Sequence, residues 1–66
     1  MAVAKVIEVT SGSPKGLEDA ILQGIGKASD TLDQVEGAWI NDIKVLVNKG
    51  KIAEWRVNMK VTFVLK

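Results

Sequence analysis

The chain has 66 residues, a formal net charge of +1, no cysteine and no histidine. A chain this short forms one domain and buries only about 60% of its unfolded surface, so it is marginal as a monomer. Disulfides and the common zinc sites are excluded by composition, which leaves oligomerisation as the source of added stability.

Charges of both signs are interleaved along the chain. Lys44, Arg56 and Lys60 fall at even positions, but so do Asp42 and Glu54. That mixture reads as a solvated sheet face and not as the basic stripe of a nucleic-acid binder. No apolar run approaches the ~20 residues of a membrane span. The opening, MAVAKVIEVT, alternates like a strand and lacks the long apolar core of a signal peptide. The expectation is a cytoplasmic protein with no membrane and no nucleic-acid partner.

The predicted order is strand, helix, strand, strand. The first strand is expected over 2–10. Ser11-Gly12-Ser13-Pro14 reads as a turn that opens the helix. Ser13 as N-cap with Pro14 at the first helical position is one start signal. Gly16 as the cap is the other, with Glu18 and Asp19 then well placed for the helix dipole. Leu17, Ala20, Ile21, Gly24, Ile25, Ala28 and Leu32 recur at helical spacing. The helix has about 18 residues and fades at Asp33-Gln34. Gly24 and Gly26 each cost up to about 1 kcal/mol relative to Ala in a helix. Close backbone packing of helix on sheet is the reading for both.

From Gly37 to Lys66 the pattern changes to alternation. Trp39, Ile43, Val45 and Val47 lead out, and Ala53, Trp55, Val57, Met59, Val61, Phe63 and Leu65 return. Such alternation marks half-buried strands. A three-residue turn, Asn48-Lys49-Gly50, would place 39 opposite 59, 43 opposite 55 and 45 opposite 53. An unbroken arm would reach about 40 Å at 3.3 Å per residue, against about 27 Å for the helix. One helix cannot cover that apolar face, so a second copy of the chain is expected to. The fold class is α+β: a β-α-β-β protomer whose three-stranded antiparallel sheet wraps on one helix. The first strand lies either beside the last or between the hairpin arms.

Catalysis has little to work with. There is no His, Cys or Tyr and no phosphate loop. Gly24-Ile25-Gly26 lies inside a helix, not at the strand-to-helix turn of a dinucleotide site. Glu18, Asp19, Asp30 and Asp33 read as solvated helix residues. The expected class is a binding protein and not an enzyme. Trp39 and Trp55 are the large rings available to stack a planar ligand, and Arg56 suits a phosphate. Trp55, beside Ile43, Val57 and Ala53, reads as a core residue.

Taken in order, these segments resemble the dodecins. Ser13-Pro14, Glu18-Asp19-Ala20-Ile21, Ala28-Ser29-Asp30-Thr31-Leu32 and Val57 to Leu65 match the family pattern across essentially the whole chain, 1–66, as one domain. The resemblance implies a hollow homododecamer, a self-assembled shell of twelve copies. It also implies a flavin (FMN or riboflavin) held or stored without catalysis. Flavin-binding dodecins carry a stacking Trp in a W-x-E-V strand start and a Gln on the last strand. Counted without gaps from Thr31-Leu32, the Trp position falls on Gly37 and the Gln position on Arg56. Trp39 lies two residues beyond Gly37, on the same nominal face. The ligand-binding candidates are therefore Trp39, Arg56 and Gly37. The alternative is a dodecin-like shell without flavin, holding metal ions or another small ligand, or serving as a structural assembly.

Overall fold

The computed structural model describes residues 3–32 and 34–65. Strand β1 (Val3–Ser13) leads to helix α1 (Leu17–Thr31), followed by strands β2 (Val35–Asn48) and β3 (Lys51–Leu65). The sheet is antiparallel with the order β1-β3-β2. Of the two arrangements open to the sequence, β1 thus takes its place beside the last strand. Ala2 and Lys66, at the outer ends of the expected strands, lie outside the described residues.

The central strand carries the core. Val57, Met59 and Val61 are fully buried, and Phe63 is 9% exposed. Burying side chains of this size is worth about 1.5–3 kcal/mol each. Ala20, Gly24 and Ala28, four residues apart, form the buried line of α1 that settles on these side chains. Small residues let the helix axis come close. A Cβ on Gly24 would collide with the Met59 Cε and lie 3.1 Å from the Ser11 Cβ. Leu17, Ile21, Ile25 and Leu32 pack around this line with Ile7, Val9 and Val35. The expectation for Gly26 fails: it faces outward, and a Cβ there would have nothing within 4 Å.

The start of α1 differs from the first expectation. β1 runs on through Ser13, past the expected end at Thr10, and the cap is Gly16. Ser13 is buried, and its Oγ donates to Asp19 Oδ2 at 2.5 Å while accepting from the Lys15 N–H at 3.0 Å. Buried hydroxyls need such partners. Asp19 is accordingly a half-buried acceptor and not a free surface carboxylate. The helix has 15 residues, shorter than expected, and closes with the Leu32 N–H donating to the Ala28 carbonyl at 3.0 Å. Asp33 lies outside the described residues.

The hairpin register also differs. The turn contains two residues, Lys49 and Gly50, between the paired Asn48 and Lys51. Both have positive φ, 52° and 76°, as a type I′ turn requires. Three irregularities then shift the pairing, beside Glu36 and Asn41 on β2 and beside Ala53 on β3. Each extra residue re-aims the side chains that follow. Ile43 meets Val57, Val45 meets Trp55, and Trp39 meets Lys60 in place of Met59. Ala53, expected opposite Val45, is skipped by the ladder and exposed.

α1 lies over β1 and β3. On β2, Ile40, Ile43 and Val45 share the helix side of the sheet through their pairing with Met59, Val57 and Trp55, yet all three stay exposed. The protomer is 51 Å long, whereas 15 helical residues extend about 22 Å. The apolar face therefore outruns its helix.

Candidate functional site

The side of the sheet away from α1 is defined by the even residues of β3, from Glu54 to Val64. Side chains directly opposite one another across a ladder lie on the same face. Gly12 and Lys44 therefore flank Arg56, Thr10 and Asp42 flank Asn58, and Glu8 and Trp39 flank Lys60, while Gly37 lies beside Thr62. The bulge at Asn41 decides this placement for Trp39. Without it, Trp39 would share a face with Ile43.

Gly37, Trp39 and Arg56 therefore lie on one face. They do not line one depression. Trp39 and Gly37, with Glu36, Ala38 and Thr62, border a shallow hollow of about 270 Å³. Trp39 is 65% exposed, and nothing lies within 4 Å of where a Gly37 Cβ would sit. Arg56 borders a second hollow of about 390 Å³, with Thr10, Asp42, Ile43, Lys44 and Asn58. Four residues of β3 separate the Trp39–Lys60 row from the Lys44–Arg56 row, or about 13 Å.

Polar side chains tie this face together. Asn58 Nδ2 donates to Thr10 Oγ1 at 2.9 Å and to Glu8 Oε2 at 3.1 Å, and Asn58 Oδ1 accepts from Asn41 Nδ2 at 2.9 Å. Asn58 thus fastens β1 and β2 to β3 at the edge of the Arg56 hollow. Arg56 donates from Nε at 2.9 Å and from Nη2 at 2.6 Å to the same oxygen, Glu54 Oε2. Two of its donor groups already have a carboxylate partner. Asn58, Lys60, Thr62 and Glu54 belong to this face as well, although the sequence does not single them out as ligand-binding residues. Their signal was present as polar even positions on the last strand, but alternation alone does not say which of them meet.

Trp55 lies on the other side of the sheet, between Ser13 and Val45, and is half-buried. Among the described residues, no three Asp, Glu, His or Cys side chains come together as metal ligands. No helix among them is long and apolar enough to cross a membrane.

These elements define a small α+β protomer, with one helix on one face of its sheet and an open aromatic and polar surface on the other. The chain belongs to the dodecin family, whose model matches residues 3–66. Among solved structures it is similar to dodecin from Streptomyces davaonensis, with 35% identity, TM-score 0.93, and coverage of 98% of this chain and 96% of that one. A point mutant of Thermus thermophilus dodecin superposes with TM-score 0.95 at 27% identity, covering 100% and 98%. A calcium dodecin from Mycobacterium tuberculosis, described as calcium-chelating with a novel calcium-binding site, gives TM-score 0.83 at 29% identity, covering 97% and 91%. Among curated proteins, none matches this sequence.

Proposed function

We propose that the protein assembles into a dodecin-type hollow shell of twelve copies and holds a flavin, FMN or riboflavin, without catalysing a reaction. The observation that carries this reading is Trp39. Its side chain is exposed on the sheet face away from the helix and offers a large flat ring for stacking. A planar fused ring is a natural partner, because stacked aromatic pairs gain about 0.5–1.5 kcal/mol beyond area burial. Gly37 leaves the surface beside the indole clear, and Thr62 and Lys60 offer hydrogen-bond donors along the same rows.

One protomer supplies one wall of such a site, and a neighbouring copy supplies the opposite wall. The apolar β2 face left bare by α1 supplies the reason to assemble. Arg56, on the same face and about 13 Å from the Trp39 row, is the candidate partner for the phosphate of FMN. A bound flavin contributes a ring to stack and, in FMN, a phosphate; holding it requires no proton transfer from the protein.

The test is titration of FMN and riboflavin with protein, followed by quenching of flavin fluorescence, with assembly mass measured on the same sample. Quenching in an intact oligomer supports the reading, and unchanged fluorescence at millimolar protein overturns it. A metal-holding shell, after the manner of the calcium dodecin, draws no support from the described residues of one protomer, where carboxylates do not cluster.

A further inference from the structure

Glu54 and Arg56 are two residues apart on one strand, so their side chains leave the same face side by side. What brings them together is Gly12 on the neighbouring strand. Gly12 is the cross-strand partner of Arg56, and the place its Cβ would occupy is 2.6 Å from Glu54 Oε2 and 2.8 Å from Glu54 Cδ. The carboxylate lies across β1 in the space that glycine leaves. From there, a single oxygen accepts from both Nε and Nη2 of Arg56.

We infer that Glu54, seated over Gly12, is a positioning residue that sets the ligand selectivity of this face: by occupying Arg56, it removes the preference for a phosphate-bearing ligand over an uncharged one. This rests on the flavin-holding reading. A free arginine beside Lys44 would favour a phosphate through paired N–H donors. Here its fork is turned to an internal carboxylate, and the remaining charges of the face, Asp42 and Glu8 against Lys44 and Lys60, balance one another. An incoming phosphate must displace Glu54, whereas the sugar-alcohol chain of riboflavin need not. The pair is partly solvated, with side chains 43% and 31% exposed, so the effect is modest.

The experiment compares FMN, riboflavin and inorganic pyrophosphate on wild type, Glu54→Gln and Gly12→Ala, at low and high salt. Wild type is expected to bind the two flavins within about threefold of each other. Glu54→Gln is expected to shift the ratio toward FMN by about three- to tenfold, with the shift fading at high salt as screening dictates. Gly12→Ala leaves every charge in place but pushes the flexible carboxylate tip aside, and shifts the ratio in the same direction. That second variant separates placement from charge and stands in if Glu54→Gln fails to assemble. An unchanged ratio in both variants, or a loss of FMN affinity in either, overturns the inference. If wild type binds neither flavin, the flavin reading falls, and pyrophosphate decides alone: a several-fold gain in the variants upholds the role of Glu54, and no gain refutes it.

Discussion

Trp39 and Lys60 face each other across β2 and β3, on the side of the sheet that α1 does not cover. Their pairing separates the two tryptophans of the chain. Trp39 is a surface ring, while Trp55 is half-buried between Ser13 and Val45.

Trp39→Ala is therefore expected to leave the protomer's melting temperature nearly unchanged and to weaken flavin binding at least several-fold, given the loss of a stacking partner. Trp55→Ala is expected to do the reverse, lowering stability by about 2 kcal/mol or more, because it removes a half-buried ring of β3 that lies between Ser13 of β1 and Val45 of β2. Fluorescence titration and thermal melts on both variants check this. Equal flavin affinity in wild type and an assembled Trp39→Ala protein would remove Trp39 from the site.

Much of the fold was legible because its largest signals are periodic. The run from Val57 to Phe63 alternates without interruption, and the structure makes it the central strand. Leu17, Ala20, Ile21, Gly24 and Ala28 recur at 3.6 spacing and form the buried side of α1. What escaped has no periodic signature. The extra residue at Asn41 turns Trp39 away from the helix, and no residue type marks that bulge in the sequence. The turn shortened by one residue because Lys49, which is not an obvious left-handed residue, adopts positive φ. The candidate site depended on both events, since its rows follow from the register. Gly37, Trp39 and Arg56 share a face, but their separation into two hollows is visible only in three dimensions.

The two helical glycines make a controlled pair. Gly24→Ala would place a methyl group against Met59 and Ser11, in a core where overpacking costs about 1–3 kcal/mol. Gly26→Ala meets open space and removes glycine's helix penalty, so it is expected to stabilise by up to about 1 kcal/mol. Chemical denaturation of the two variants should move in opposite directions. Movement in the same direction would contradict the close seating of α1 on the sheet at Gly24.

Met59→Ala probes the core itself. Met59 is fully buried beneath α1 and lies between Val9 and Ile40 on the flanking strands. Such truncations cost about 2–5 kcal/mol. Phe63→Ala, at the far end of the same strand, is expected to cost about 3–5 kcal/mol. Either loss is large for a 66-residue chain. A Met59→Ala protein that melts like wild type would show that the helix does not rest on this residue.

The turn gives a prediction of the opposite sign. Lys49 holds φ at 52° and Gly50 at 76°. A left-handed conformation costs an ordinary L-residue about 1–2 kcal/mol, and Asn and Gly are the residues that visit it most readily. Lys49→Asn should therefore stabilise the hairpin by about 0.5–1 kcal/mol, and Gly50→Ala should destabilise it by about 1 kcal/mol. Melting curves measured at one protein concentration decide the point, because oligomerisation makes apparent stability depend on concentration.

Assembly should fail selectively when the bare side of β2 is made polar. Ile43 is 52% exposed in the protomer yet shares the helix side of the sheet with Val57. In a lone protomer, lysine at this position would sit in water and change stability little, because α1 does not reach it. In an oligomer that buries this face, the same lysine would carry an unpaired charge into an apolar contact, which costs several kcal/mol for each copy. Ile43→Lys is thus expected to reduce the particle mass measured by light scattering toward that of one chain. Its far-ultraviolet circular dichroism should keep the β-α-β-β signal. Loss of both mass and secondary structure would mean that the protomer does not fold without its partners. Full retention of mass would mean that the face around Ile43 is not where the copies meet.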